Sequence, residues 1–181
     1  MIVYHGSSEI IKNPDVKFSK KYLDFGSGFY LTSFENQAKK WAIRKGMRQN
    51  KPGIVNIYEL KDNWKDYNVL SFEEENEKWL DFVCACRKGE TLNKDYDIVI
   101  GNVADDDVFK TVDMYFRGLW DKKRVLDTHL LQSARMKAPM HDAMLLLLPY
   151  RFQALLTGRY CNPENNLRYC LMLNACLLRL R

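Results

Sequence analysis

The sequence predicts an α+β fold, because segments typical of strands and of helices follow one another without the regular order of βαβ units. Its 181 residues suffice for one domain, or for one domain with a tail. Apolar residues make up 46% and charged residues 28% of the chain, and this balance excludes a disordered protein.

Five segments have the composition of strands. They concentrate the β-branched and aromatic residues that strands favour, and glycine, proline or asparagine bounds most of them. A glycine-rich loop at 24–28 leads into the second segment. The five are Met1–His5, Phe29–Thr32, Ile54–Leu60, Val69–Phe72 and Tyr96–Gly101.

Three further segments carry apolar residues at helical spacing. The first begins after Ser33, which we expect to be its N-cap, and ends before Pro52–Gly53. Trp41 lies within this helix, and a tryptophan on an amphipathic helix usually belongs to the core, so we expect Trp41 to be about half core. The other two segments are Glu74–Arg87 and Asp106–Leu119.

The composition changes near residue 125, which predicts a domain at 1–125 and an atypical tail at 126–181. The first 125 residues contain 20 acidic and 21 basic residues, whereas the last 56 contain 3 acidic residues, 7 basic residues and 15 leucines. No strand-and-turn alternation is evident in the tail. This basic, leucine-rich tail could form one or two helices, bind a partner or a membrane surface, be disordered, or be an out-of-frame ending produced by a frameshift near codon 126.

Charge and cysteine usage exclude several classes of function. A net charge of +5 is a mild excess for a chain of 181 residues, so nucleic-acid binding is possible but not indicated. The five cysteines are odd in number and include no Cys-x-x-Cys pair, which argues against a zinc site and a disulfide framework. We expect no membrane span, no secretory signal and a cytoplasmic location.

Three features could carry chemistry. They are the sequence His5-Gly6-Ser7 at the end of the first strand, the segment Phe25–Tyr30, and Trp41 eleven residues after Tyr30. Singly, each has an ordinary structural explanation: a histidine at a strand end, a tight turn, and a core tryptophan. Their order and spacing together are much less easily explained by chance.

The combination resembles the ADP-ribosyltransferase superfamily, on the branch that includes poly(ADP-ribose) polymerases and diphtheria toxin. More closely, the chain resembles a bacterial domain family of uncharacterised function placed in that superfamily. The resemblance covers about residues 1–125 and does not extend into the tail. It implies a split, mixed or antiparallel sheet with flanking helices. The residues that carry it are Tyr4-His5-Gly6-Ser7, Asp24–Thr32, Gln37-Ala38, Trp41 and Asp97–Asp106.

The resemblance implies that NAD⁺ is the substrate and that no metal is needed. The reaction would break the bond between nicotinamide and ribose and transfer ADP-ribose to an acceptor. The residues that the resemblance assigns to NAD⁺ binding are His5, Gly6, Ser7, Gly28, Tyr30 and Trp41.

The residue types suit these roles. Tyr30 and Trp41 would offer flat faces to the nicotinamide ring. The backbone of Gly6 would pair with the carboxamide, which needs one donor and one acceptor, and the Ser7 hydroxyl would add a further bond. His5 would hydrogen-bond a hydroxyl of the adenosine ribose, which orients the substrate without requiring charge.

A third signature residue of this superfamily remains unidentified. A carboxylate from a late strand normally stabilises the positive charge that develops on the ribose, as in glycoside hydrolysis. The tail offers Gln132, Gln153 and Glu164 as candidates, and none lies in a convincing strand. Glu73–Glu75 form a charge run of the kind that is usually solvated.

Three functions therefore remain open. The leading hypothesis is a mono-ADP-ribosyltransferase that acts on a protein or nucleic-acid acceptor, such as a toxin-like effector with an antitoxin or neighbouring-gene partner. The second is a non-catalytic or degenerate module that binds NAD⁺ or ADP-ribose. A carboxylate or glutamine on the nicotinamide side of the cleft would favour catalysis, and an apolar wall there would favour binding alone. The last is nucleic-acid binding through the basic tail, which lacks the interleaved aromatics of single-strand grooves.

Overall fold

The computed structural model describes residues 1–102, 106–128, 143–147 and 156–161, and they form an α+β fold. Seven strands make one sheet, and helices pack against it. The strands are β1 (Ile2–Ser7), β2 (Phe29–Thr32), β3 (Ile54–Leu60), β4 (Val69–Ser71), β5 (Ile98–Asn102), β6 (Ala143–Leu147) and β7 (Leu156–Cys161). The helices are α1 (Glu35–Gln49), α2 (Glu77–Lys88), α3 (Asp106–Phe116) and α4 (122–128).

The sheet consists of two halves that meet at β1 and β2. The strand order is β4-β5-β6-β2-β1-β3-β7, and β4 and β5 form its parallel pair. β1 pairs with β3 along its whole length, from Ile2 opposite Glu59 to Ser7 opposite Ile54. By contrast, among the described residues β1 is joined to β2 by the single pair Tyr4–Thr32. The sheet is therefore open between its two central strands.

One face of the sheet carries the helices. α1 packs on β1 and β3 through the small residues Ala38 and Ala42, which lie against Val55. α2 packs beside β5, where Trp79 and Val83 lie in one cluster with Val99. The opposite face is covered by loops and holds a second cluster, composed of Val3, Phe29, Leu31, Tyr58, Leu60 and Ile98. This arrangement leaves the open seam between β1 and β2 under the flank of α1.

The eight elements predicted before residue 125 are all present, with ends that differ from the predicted ones by up to three residues. β2 and β3 have the predicted bounds. Ser33 is not the N-cap of α1, because Phe34 occupies that position without a side-chain cap bond. The Thr32 hydroxyl instead accepts the Phe34 N–H at 3.0 Å, so the end of β2 stabilises the turn into the helix. Asn76 is the N-cap of α2, where its side chain accepts two backbone N–H groups.

Two strands of the sheet come from beyond the predicted boundary at residue 125. β6 lies between β5 and β2, with Ala143 opposite Asn102 and Leu147 opposite Phe29. β7 pairs with β3 at the edge of the sheet. A strand inside a sheet often reads as a continuous apolar run, so alternation is a poor guide to β6. Residues 126–128 of the predicted tail belong to α4, and the remainder of the tail lies outside the described residues. None of the described helices has the length and apolar character that crossing a membrane requires.

Candidate functional site

The backbone of Gly6 faces the opening between β1 and β2. Met1 and Leu60 exchange two hydrogen bonds of 2.7 Å, which fixes the alternation of the β1–β3 ladder. The N–H and C=O of odd-numbered β1 residues therefore face β3, and those of Gly6 face β2. Continued pairing beyond Tyr4–Thr32 would join Gly6 to Tyr30, but that pair is not formed. An adjacent donor and acceptor are thus directed into the opening.

His5 occupies part of this opening. Its Nδ1 lies 2.7 Å from the main-chain carbonyl oxygen of Tyr30. A carbonyl only accepts, so Nδ1 carries the proton and Nε2 is left as an acceptor. The ring stacks on Phe29, with 4.5 Å between centroids and 21° between planes. Burial, together with the charge of Lys45, lowers the pKa of His5 to about 4, so the imidazole is neutral at physiological pH.

Lys45 of α1 is the nearest charge to this imidazole. Its Nζ lies 3.5 Å from Nε2 of His5. Burial lowers the pKa of Lys45, and the nearby charge of Lys20 lowers it further. No motif in the sequence assigns a role to Lys45. The available signal was its position four residues after Trp41, which places both on one face of α1.

Gly6 also allows α1 to approach β1 closely. A Cβ atom at position 6 would lie 2.6 Å from the backbone nitrogen of Ala42 and 2.8 Å from Cβ of Trp41. No residue with a side chain fits there without moving the helix. Trp41 therefore stands next to Gly6. Its side chain is 37% exposed and belongs to none of the buried clusters of the described residues, which agrees with the expectation of a side chain that is only partly in the core.

Tyr30 and Trp41 lie on the same side of the sheet. Because Tyr4 pairs with Thr32, the side chains of Tyr4 and Thr32 share a face, and Tyr30 is on that face too. Tyr4 packs in one cluster with Ala38 of α1, so this is the face that α1 covers. His5 projects on the other side with Phe29, and its Nδ1 reaches the Tyr30 carbonyl at the opening.

The phenol of Tyr30 is held by the glycine-rich loop. Its hydroxyl donates to the carbonyl of Gly26 at 2.7 Å and accepts the N–H of Phe25 at 3.2 Å. Burial raises the pKa of Tyr30, so the phenol stays protonated. The same loop is anchored to α2, because the Arg87 guanidinium makes bonds of 2.9 and 2.6 Å to one oxygen of Asp24. The position of the Tyr30 ring therefore depends on an ion pair that is nearly buried.

Ser7 and Gly28 make local contacts. The Ser7 hydroxyl accepts the N–H of Glu9 at 3.4 Å, and its residue is 7% exposed. The N–H of Gly28 donates to the Ser19 hydroxyl at 2.9 Å. Their predicted part in NAD⁺ binding stays a prediction, and the structure gives both a role in shaping the loops around β1 and β2.

Gln37 is a polar residue of α1 for which the sequence predicts no function. Its Oε1 atom is buried and finds no hydrogen-bond partner among the described residues. Gln37, Trp41 and Lys45 follow one another at intervals of four residues, so they line the same edge of α1. A buried acceptor without a donor is costly, which makes this edge a place where a bound molecule gains by supplying one.

The predicted catalytic candidates Gln132, Gln153 and Glu164 all lie outside the described residues. The late strands β6 and β7 have the sequences AMLLL and LTGRYC, which contain neither a carboxylate nor a side-chain amide. Within the described part of the chain, no group of three or more His, Cys, Asp or Glu residues could hold a metal ion.

Comparison with known proteins gives a family and nothing more specific. No curated protein and no solved structure matches the chain. One family model, described as "Protein of unknown function (DUF3990)", matches residues 1–145 and so includes β6 up to residue 145. With four fifths of its length covered by this model, the chain belongs to the DUF3990 family.

Proposed function

We propose that this chain binds NAD⁺ in the opening between β1 and β2 and transfers its ADP-ribose group to a protein or nucleic-acid acceptor. The observation that carries the proposal is the backbone edge of Gly6, which has no partner on β2 and lies beside His5 and under the flank of α1. The core of the fold would then be that of an ADP-ribosyltransferase, with its sheet split at these two strands.

The carboxamide of nicotinamide suits the backbone of Gly6. A primary amide needs one acceptor for its NH₂ and one donor for its oxygen, and one glycine supplies both in fixed positions. Tyr30 and Trp41 lie on the same sheet face, to either side of the opening. Aromatic rings in these places would stack on the nicotinamide ring, and Trp41 has exposed surface to offer.

His5 suits an orienting role. Its Nε2 is an acceptor, so it bonds a ligand that donates a hydrogen, such as a ribose hydroxyl. The bond to Tyr30 and the stacking on Phe29 hold the ring in one orientation. The imidazole of His5 does not need to be charged for this role, because holding the substrate in the reactive geometry lowers the barrier by itself.

The proposed reaction is a displacement at C1′ of the nicotinamide ribose. The glycosidic C–N bond breaks, and its electron pair goes to the nicotinamide nitrogen, which loses its positive charge. The acceptor nucleophile forms the new bond to C1′ and releases its proton to solvent. A carboxylate would stabilise the cationic ribose at this stage. No such group lies on β6 or β7. Of the candidates in the remaining sequence, Glu164 would supply a carboxylate, whereas Gln132 and Gln153 would supply only a neutral amide oxygen.

A second candidate function follows from the same strands. Since β6 and β7 carry no acidic or amide side chain, the chain could hold NAD⁺ or ADP-ribose without cleaving it. Both functions require binding of the dinucleotide, but only the first releases nicotinamide.

Labelled NAD⁺ incubated with the protein and a cell lysate tests the proposal. Modified macromolecules and released nicotinamide would support transfer, and saturable binding without release would support the second candidate. His5→Gln and Trp41→Ala should each lower the signal at least about tenfold. Phe116→Ala is the matched control, since Phe116 on α3 is 41% exposed, close to the exposure of Trp41. Absence of binding by the unaltered protein overturns both functions.

A further inference from the structure

We propose that Lys45 leaves His5 when ligand binds and pairs with a phosphate group of that ligand. This inference rests on the proposed function for the identity of the full ligand, a dinucleotide. Independently of that identity, we infer that the Nζ atom of Lys45 is an anion-binding site. It lies at the end of the row formed by Gln37, Trp41 and Lys45.

The first step is the competition at Nε2 of His5. The Nδ1 proton is committed to the Tyr30 carbonyl, so Nε2 accepts one hydrogen bond. At 3.5 Å, Lys45 Nζ is the donor that occupies it in the described structure. A ligand hydroxyl that bonds Nε2 must displace this donor. Ligand binding therefore requires that Lys45 find another partner.

The second step concerns what that partner is. No carboxylate of the described residues lies within ion-pair distance of Lys45. The His5 imidazole that Lys45 contacts is neutral, so it does not balance the charge of Lys45. A second cation, Lys20, is close enough to lower the pKa of Lys45. Two cations around a partly buried site attract an anion more strongly than they would in open water.

The helix itself adds to the positive charge. α1 carries one acidic residue, Glu35, which pairs with Lys39 at 2.8 Å. The other charged residues of α1 are Lys40, Arg44, Lys45 and Arg48, all of them basic. This excess favours a negatively charged ligand on the α1 side of the opening.

The third step is geometric. Trp41 and Lys45 are four residues apart, so Lys45 lies about 6 Å further along the helix axis on the same edge. A ligand with a flat ring at Trp41 and a ribose hydroxyl at His5 presents the phosphates that connect its two riboses near Lys45. A phosphate diester keeps its charge at every physiological pH, and a lysine binds it as a point charge.

Binding of three compounds to the full chain separates the possibilities. NAD⁺ and ADP-ribose carry phosphates, and nicotinamide carries none. Lys45→Gln should weaken binding of the first two at least about tenfold and leave nicotinamide unchanged. Lys45→Arg should restore most of the loss, because it restores the charge. Lys40→Gln is the matched control, since Lys40 is exposed on the same helix.

A probe independent of NAD⁺ completes the test. Titration with inorganic pyrophosphate, followed by the ¹⁵N resonance of His5 Nε2, should show a saturable shift as Lys45 leaves, and Lys45→Gln should abolish it. If pyrophosphate and NAD⁺ both leave the His5 resonance unmoved, or if Lys45→Gln binds NAD⁺ like the parent, the inference is overturned. If neither NAD⁺ nor nicotinamide binds but pyrophosphate still binds at Lys45, the proposed function is overturned and the anion site is supported.

Discussion

The imidazole of His5 donates its Nδ1 proton to the main-chain carbonyl of Tyr30 over 2.7 Å. In a continuous ladder this carbonyl would accept the N–H of Gly6 instead. The side-chain bond therefore satisfies Tyr30 and leaves the backbone of Gly6 directed into an opening. One hydrogen bond thus links the neutral state of a histidine to the split in the sheet.

The stability of the protein should depend on the protonation of His5. The folded-state pKa of about 4 lies below the value of 6.5 for the unfolded chain. Between these values the unfolded state binds more protons, so stability is complete above about pH 6.5 and falls as the pH approaches 4. The loss amounts to about 3 kcal/mol at most. Urea unfolding at a series of pH values measures it, and His5→Gln should remove this part of the pH dependence. Parallel curves for the two proteins would contradict the assignment.

Removing the charge of Lys45 should raise the pKa of His5. Burial is the larger cause of the low pKa, so Lys45→Gln should raise it above about 4 without reaching 6.5. An NMR titration of the His5 imidazole measures the change. The control Lys40→Gln should leave the titration of His5 where it is. An unchanged pKa in Lys45→Gln would mean that the 3.5 Å contact with Nε2 is not present in solution.

Two tryptophans should differ sharply in their contribution to folding. Trp79 is fully buried, whereas Trp41 is 37% exposed at the rim of α1. Trp79→Ala should cost about 3–5 kcal/mol of unfolding free energy. Trp41→Ala should cost less than about 1.5 kcal/mol and should instead weaken NAD⁺ binding. Urea unfolding and ligand titration of the two variants measure both effects. A large loss of stability in Trp41→Ala would mean that Trp41 packs mainly in the core.

The ion pair between Asp24 and Arg87 should matter more than an exposed pair of similar length. Both side chains are nearly buried, so Arg87→Met removes the cation that faces the Asp24 carboxylate and should cost about 3–5 kcal/mol. Lys51 and Glu9 form a pair of similar length, 2.7 Å, but both side chains are exposed. Lys51→Met should therefore cost about 1 kcal/mol or less. Equal unfolding free energies for the two variants would show that the glycine-rich loop does not depend on Asp24.

A side chain at position 6 should disturb the contact between β1 and α1. The added methyl group of Gly6→Ala meets the backbone of Ala42, which cannot rotate away. We expect a loss of about 1–3 kcal/mol of unfolding free energy. Thermal unfolding provides the measurement. A variant as stable as the parent would indicate that α1 sits further from the sheet.

Most elements of the first 102 residues could be predicted because glycine and proline mark the ends of segments whose composition already favours a strand or a helix. Pro52–Gly53 fixes the start of β3, and the loop ending at Gly28 fixes the start of β2. β6 could not be predicted, since an apolar run of five residues has no period that separates a strand from a helix. Its pairing with β2 and β5 depends on residues distant in the sequence.

The site was predictable in part. The motif led to Gly6 and His5, whose contacts with α1 and Tyr30 give them places in one opening. Trp41 is partly exposed, as expected, because α1 contacts the sheet through Ala38 and Ala42 and Trp41 lies beside them. The contact of Lys45 with His5 depends on a tertiary approach that spacing within one helix cannot reveal.

The most direct test of the central claim is the backbone amide resonance of Gly6 during titration with nicotinamide. If the opening holds the carboxamide, this resonance moves saturably, and nicotinic acid, which lacks the NH₂ donor, produces a much smaller shift. If the Gly6 amide stays unmoved at concentrations of NAD⁺ that saturate the protein, or is already protected from hydrogen exchange without ligand, the opening is not the nicotinamide site.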